Sequence, residues 1–284
     1  MLLPAWERKD HKETVNNQPI KKQVVVVCGL PAMDNELIAD MPGVELRTFT
    51  AATAARFSKA GLELFEQVKN WLSDKQPILV QVLIPAEGEG QLYAGMAGLL
   101  KTARKEAPHF YFQLIRVARH EPIAAIRQQL IPHANNLTDQ VIRYQDGHRQ
   151  VLQWTIAAAQ ATNKVAHPWK EGGVYLITGG AGGLGLLFAQ EIVSQTKRVT
   201  LVLTGRSSLD QRKQQELAAL EQAGATIDYR KVDITDQQAV QLLIQSICHE
   251  FGGLHGILHS AGVIRDNYLV NKQAAEWQEV LAPR

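Results

Sequence analysis

Cysteine is nearly absent, with only Cys28 and Cys248 in 284 residues, each set in an apolar run. That scarcity excludes a disulfide scaffold and leads us to expect two buried thiols in a reducing cytoplasm. Charge of one sign is also missing: the formal net charge is +2, too small to argue for nucleic acid or a membrane surface as partner. No apolar run approaches the length of a membrane-spanning helix, and the first residues (MLLPAWERKDHKE) are charged too early for a signal peptide. The nine histidines are scattered without metal-ligand spacing, so no metal is expected.

What the chain does have is one dense glycine stretch, GGVYLITGGAGGLG, from Gly172 to Gly185. Val174–Ile177 is a short apolar run suited to a strand buried on both faces, and Leu186–Val193 has an apolar helical pattern. Between them stand Thr178, Gly179, Gly180, Ala181, Gly182, Gly183, Leu184 and Gly185. Strand, glycine turn and helix N-terminus in that order make a cradle for a dinucleotide pyrophosphate. Gly179 is assigned the tight turn, Gly183 the close approach of the phosphates, and Gly185 the close seating of the helix.

The first 21 residues read as polar and irregular, with Leu2, Leu3, Pro4 and Trp6 as an anchor. Strands are expected at Gln23–Cys28, Val44–Phe49, Pro77–Ile84 and Phe110–Val117, with helices at Ala54–Leu72, Leu92–Glu106 and Ile123–Ile131. Val141–Tyr144 and Gln150–Trp154 form two more strands around an Asp146-Gly147 turn. The alternation predicts an α/β layer structure, but the first strand runs into Gly29-Leu30-Pro31-Ala32-Met33, which offers no glycine cradle. A structural role is expected for this half. A linker at 157–171, with His167-Pro168 against helix, separates it from the second.

The second half continues with strands at Thr200–Thr204, Thr226–Val232 and Gly256–His259. Helices are expected at Leu209–Ala223, Thr235–Phe251 and Lys272–Leu281. After its second strand stands Thr204-Gly205-Arg206-Ser207. An NAD site puts a carboxylate here, whereas Arg206 suits a 2′-phosphate, so the expected cofactor is NADPH. Asp233, followed by Ile234, either accepts from an adenine amino group or caps a helix, a task open equally to Thr235 or Asp236. His259-Ser260-Ala261-Gly262 ends the fourth strand, and Ala261 and Gly262 let a cofactor ribose lie on the backbone. His259 is read as packing rather than as a base.

The series TGGAGGLG, TGRSS, VDIT and HSAGVIRD resembles the short-chain dehydrogenase/reductase superfamily. More narrowly, it is similar to ketoreductase domains of modular polyketide synthases, especially of the trans-acyltransferase type. Trp6, QVVVVC and AGMAGLLKTARKE resemble landmarks of the family's N-terminal structural subdomain, a truncated Rossmann-like partner that binds no cofactor. The resemblance implies a structural subdomain at 1–160 and, at 172–284, the first half of a doubly wound NADPH-binding parallel sheet with strand order 3-2-1-4 onward. It implies reduction of a β-ketoacyl chain on an acyl carrier protein, with other synthase domains as partners. Ile264-Arg265-Asp266 stands at the B-type Leu-Asp-Asp marker, keeping Asp266, which favours a D-configured hydroxyl. The family's catalytic Lys falls in Leu281-Ala282-Pro283-Arg284, so Arg284 occupies its place, while Ser, Tyr and Asn would come from beyond it. Tyr268 is not the family's Tyr. The expectation is an N-terminal portion, inactive alone, completed by a missing C-terminal half. A split ketoreductase and a non-catalytic structural or docking module are the alternatives. A fourth strand left as a sheet edge is expected to be less ordered than the first half.

Overall fold

A computed structural model describes residues 2–10, 19–31, 33, 35–49, 54–118, 120–134, 136–156 and 168–282. Two compact units emerge, one from the residues up to 156 together with Asp266–Trp277, the other from 168 to Arg265 with 278–282.

The first unit contains strands β1 (Leu2–Arg8), β2 (Lys22–Cys28), β3 (Val44–Phe49), β4 (Ile78–Pro85), β5 (Phe110–Val117), β6 (Val141–Gln145) and β7 (His148–Ile156). Its helices are α1 (Ala54–Asp74), α2 (Met96–Glu106) and α3 (Ile123–His133). The sheet order is β1-β7-β6-β5-β4-β2-β3, parallel from β3 through β6 and antiparallel at β7 and β1. The Val24–Val27 run is buried on both faces because successive side chains alternate across a sheet covered on both sides. Val24 and Val26 pack with Leu64, Phe65 and Val68 of α1, and Val25 and Val27 with Ile126 and Leu130 of α3. Each such side chain contributes about 1.5–3 kcal/mol by leaving water. Asp146 (φ 51°) and Gly147 (φ 73°) make the tight turn between β6 and β7.

Several expectations are corrected here. The N-terminus is not irregular throughout: Leu2–Arg8 is an edge strand paired with β7. Its pattern is masked because Leu2 and Leu3 stay exposed, and Pro4 is tolerated only at an edge. The helix expected from Leu92 starts as α-helix only at Met96, since Gly88–Gly95, carrying three glycines, forms a tighter 3₁₀ segment. Cys28 is buried, and burial pushes its thiol up to about 12, but Cys248 is exposed on a helix and is not the second buried thiol expected. Residues 266–277, drawn by the sequence boundary into the second unit, group with the first. There Leu269 is buried and its N–H donates to Glu106 Oε2 (2.8 Å), and Trp277 stacks on Phe65 with centroids 5.2 Å apart. The linker residues 157–167, His167 included, lie outside the described residues.

The second unit runs β8 (Val174–Thr178), α4 (Gly183–Gln195), β9 (Thr200–Gly205), α5 (Gln211–Gln222), β10 (Thr226–Lys231), α6 (Gln237–Phe251) and β11 (Gly256–His259); of α7 (Ala274–Leu281), the residues to Trp277 group with the first unit and the rest with the second. The strands are parallel in the order β10-β9-β8-β11. Asp210 and Asp236 cap α5 and α6 by accepting from backbone N–H groups one turn in. Among the described residues β11 pairs only with β8. No described helix is long and apolar enough to cross a membrane.

Candidate functional site

The carboxyl ends of all four strands of the second unit open on one cavity of about 340 Å³. Its floor begins at the glycine turn after β8. Gly179 has φ +65°, and a Cβ there would lie 2.8 Å from Ala261 Cα, so only glycine fits between the two loops. Gly182 N–H donates to Gly179 O (2.9 Å), which folds the turn back toward α4. A Cβ on Gly185 would sit 2.5 Å from Gly179 O, whereas one on Gly183 would meet nothing within 4 Å. The start of α4 is therefore pressed on the turn through Gly185 and open at Gly183. Gly182 precedes α4 without a side-chain cap, which leaves first-turn N–H groups for an anion.

The next wall is the loop after β9. Gly205, Arg206 and Ser207 line the cavity, joined by Lys213 from the first turn of α5 and Tyr229 from β10. Tyr229 donates its hydroxyl to Ser207 O (2.7 Å) and would clash with any Cβ on Gly205, so the ring fixes the loop that carries Arg206. Burial pushes the Tyr229 pKa up, which keeps it a donor. Asp233 and Ile234 line the third side. Asp233 Oδ1 accepts from the Thr235 N–H and hydroxyl (3.0 and 2.8 Å), and these bonds, with the Arg206 charge, hold its carboxyl below the usual range. The cap on α6 is Asp236, which settles the choice of capping residue.

Ser260, Ala261 and Gly262 close the fourth side. Ser260 Oγ donates to Thr178 O (2.6 Å), Ala261 N–H donates to Thr178 Oγ1 (3.3 Å), and His259 Nδ1 lies 2.8 Å from the same hydroxyl. Thr178 and His259 thus tie the β11 turn to the glycine turn from behind.

Ten of the cofactor contacts expected from the sequence line this cavity: Gly179, Gly182, Gly205, Arg206, Ser207, Asp233, Ile234, Ser260, Ala261 and Gly262. Thr178, Gly180, Gly183, Leu184, Gly185 and Asp266 do not line it. Gly180 packs against Leu203 and donates its N–H to Thr204 O (3.0 Å), while Leu184 is exposed. Arg284 lies outside the described residues. Lys213 and Tyr229 went unread because their parts arise from long-range pairing, with Tyr229 opposite Leu203 in the sheet. Lys213 had one local signal, its place three residues after the Asp210 cap. The counterpart turn of the first unit is filled. Ring carbons of buried Tyr93 lie 2.3 and 2.8 Å from where a Gly29 Cβ would stand.

Residues 173–284 match the family described as KR domain. The chain is 38% identical to polyketide synthase PksN of Bacillus subtilis (strain 168) over all of its own length and 5% of that protein. It is 37% identical to PksL of the same organism, over 98% of the chain and 6% of the relative. The chain thus spans about a twentieth of the curated relatives it matches. Among solved structures, a ketoreductase domain from the bacillaene assembly line superposes with TM-score 0.89 at 35% identity, over 99% of this chain and 67% of that one.

Proposed function

The chain belongs to the ketoreductase domains of polyketide synthases, within the short-chain dehydrogenase/reductase superfamily, and from that premise we propose that its second unit holds NADPH for reduction of a β-ketoacyl group on an acyl carrier protein. The observation that carries this reading is one cavity that brings together Gly182 at the uncapped start of α4 and the cations Arg206 and Lys213 after β9. The cofactor would supply the hydride. The α4 end would take the pyrophosphate, Arg206 with Ser207 the 2′-phosphate, and Asp233 with Ile234 the adenine. Ser260, Ala261 and Gly262 would bound the ribose nearest the nicotinamide. Thr178 and His259 position that last turn.

Asp266, kept from the B-type marker, supports a D-configured hydroxyl product. Residues 1–284 offer no counterpart to the family's Ser, Tyr and Asn, so the 284-residue polypeptide assayed alone is expected to reduce no ketone. An acyl carrier protein and neighbouring synthase domains are the partners this reading requires. Two free thiols and no disulfide among the described residues suit the reducing cytoplasm.

Amide hydrogen exchange with and without NADPH tests the proposal. Added NADPH is expected to slow exchange at 179–185, 205–207, 232–235 and 260–263 and to leave β2 and the turn after it unchanged. Protection confined to the first unit, or none anywhere, refutes it.

A further inference from the structure

The first unit carries a row of arginines that its packing does not explain. Arg116 on β5 stands opposite Arg143 on β6, Arg143 opposite Gln150 on β7, and Gln150 opposite Arg8 on β1. Directly paired residues share a sheet face and sit about 5 Å apart, so three cations span four neighbouring strands on one side. Trp6, two residues before Arg8, lies on that same side. Arg143 Cζ is 4.3 Å and Arg116 Cζ 5.7 Å from its ring centroid.

We propose that Arg116, near the carboxyl end of β5, and Arg143, beside it on β6, flank Trp6 and form a binding site for a phosphate group. Like charges directly opposite on a sheet repel, and none of the three arginines forms an ion pair with a carboxylate among the described residues. Their hydrogen bonds go to neutral acceptors instead: Arg116 Nη2 donates to Gln91 Oε1 (3.0 Å) and Arg143 Nε to Gln150 Oε1 (2.7 Å). Arg116 Nε is buried without a partner. Burial first, and then the Arg143 charge, push the Arg116 pKa down, the mark of a guanidinium short of counter-charge.

Anchoring of β1 through Trp6 alone would need one stacked cation. It does not account for a second brought against the first, or for both lacking an acid. Two guanidinium forks match a phosphate, which accepts several charge-assisted bonds at once. Arg116 also stands near the carboxyl end of a parallel strand, where open α/β sheets present ligands. Arg8 at the exposed end of the row extends the positive strip toward solvent.

The test is a titration of the ¹⁵N-labelled full chain with inorganic phosphate, with sodium chloride at matched ionic strength as control. It follows the Trp6 indole and the Arg116 and Arg143 Nε–H signals. Saturable shifts at all three are expected with phosphate and not with chloride. They should persist in Arg206→Ala, which removes a cation from the other unit's cavity. In Arg143→Gln or Arg116→Gln the affinity should drop roughly tenfold or more, the scale of one charged hydrogen bond. Shifts that chloride reproduces, or saturable binding lost in Arg206→Ala and kept in Arg143→Gln, would overturn the site. Should either glutamine variant fail to fold, the unmutated chain decides: no saturable shift at Trp6 means no site.

Discussion

Arg206 and Lys213 line the same cavity, and neither has an ion-pair partner among the described residues. Arg206 feels only the charge of Asp233 without a close ion pair, and a cation so placed beside a pocket gains most when a phosphate arrives. Arg206→Ala should therefore weaken NADPH by about 1.5–3 kcal/mol and leave NADH nearly unchanged. Lys213→Gln should do the same to a smaller degree, because an ammonium is a point charge without the guanidinium fork. Calorimetric titration of both variants with both cofactors checks this, and an unchanged NADPH-to-NADH ratio in Arg206→Ala would count against it. The glycines separate function from stability in the same way. Gly183→Val adds bulk where nothing lies within 4 Å, so it should block binding while the melting temperature holds. Gly185→Val drives a side chain into the backbone at 2.5 Å and should cost at least about 1–3 kcal/mol of stability, read by urea unfolding.

Among the elements, β1 depends on a buried charge cluster. Asp139, whose side chain is only 1% exposed, accepts from Lys9 Nζ just beyond β1 (2.5 Å) and from Arg149 Nη2 on β7 (2.8 Å). Burial raises its pKa, but the bonds and charges of Lys9 and Arg149 outweigh burial and leave it below the usual carboxylate value. A depressed folded pKa means the stabilisation is present above the unfolded carboxylate pKa and is lost as pH falls through the folded one. Asp139→Ala, which strands Arg149 in the interior, should cost about 3–5 kcal/mol at neutral pH. The same variant should flatten the acid side of the stability–pH curve, measured by urea unfolding between pH 7 and 3. An equally steep acid limb in the variant would assign that loss to other groups.

That cluster also shows why β1 was hard to read. Its signal lies in partners about 140 residues away, with Arg8 paired to Gln150 and Arg149 reaching the Lys9 carbonyl at 3.0 Å. By contrast, β2, β4, β5 and β8 were legible because a strand buried on both faces must be apolar throughout. The β6–β7 hairpin was legible from Asp146-Gly147, whose positive φ angles few residue pairs tolerate. Within the cavity, the turn residues 179, 182, 205 and 260–262 stood out because close backbone approach demands small side chains, and Arg206 because a cation stands where an NAD site has a carboxylate. Lys213 and Tyr229 did not stand out, since a lysine in a helix and a tyrosine in a strand are ordinary until the sheet pairs them with the loop.

At the scale of the whole molecule, two α/β units differ in one decisive place. The turn after β2 is stoppered by Tyr93, and the turn after β8 opens between Gly182 and Arg206. With NADPH and a simple β-ketoacyl thioester, the 284-residue chain by itself should consume no cofactor above a blank; clear turnover in that absorbance assay would mean that a proton donor has been overlooked. The central claim, that the second unit is an NADPH site, is met most directly by titrating the unmutated full chain with NADPH and NADH and following nicotinamide fluorescence. The account predicts saturable one-site binding with NADPH roughly tenfold or more tighter, as a charged 2′-phosphate contact requires. Equal affinities for the two, or no saturable binding of either, would contradict it.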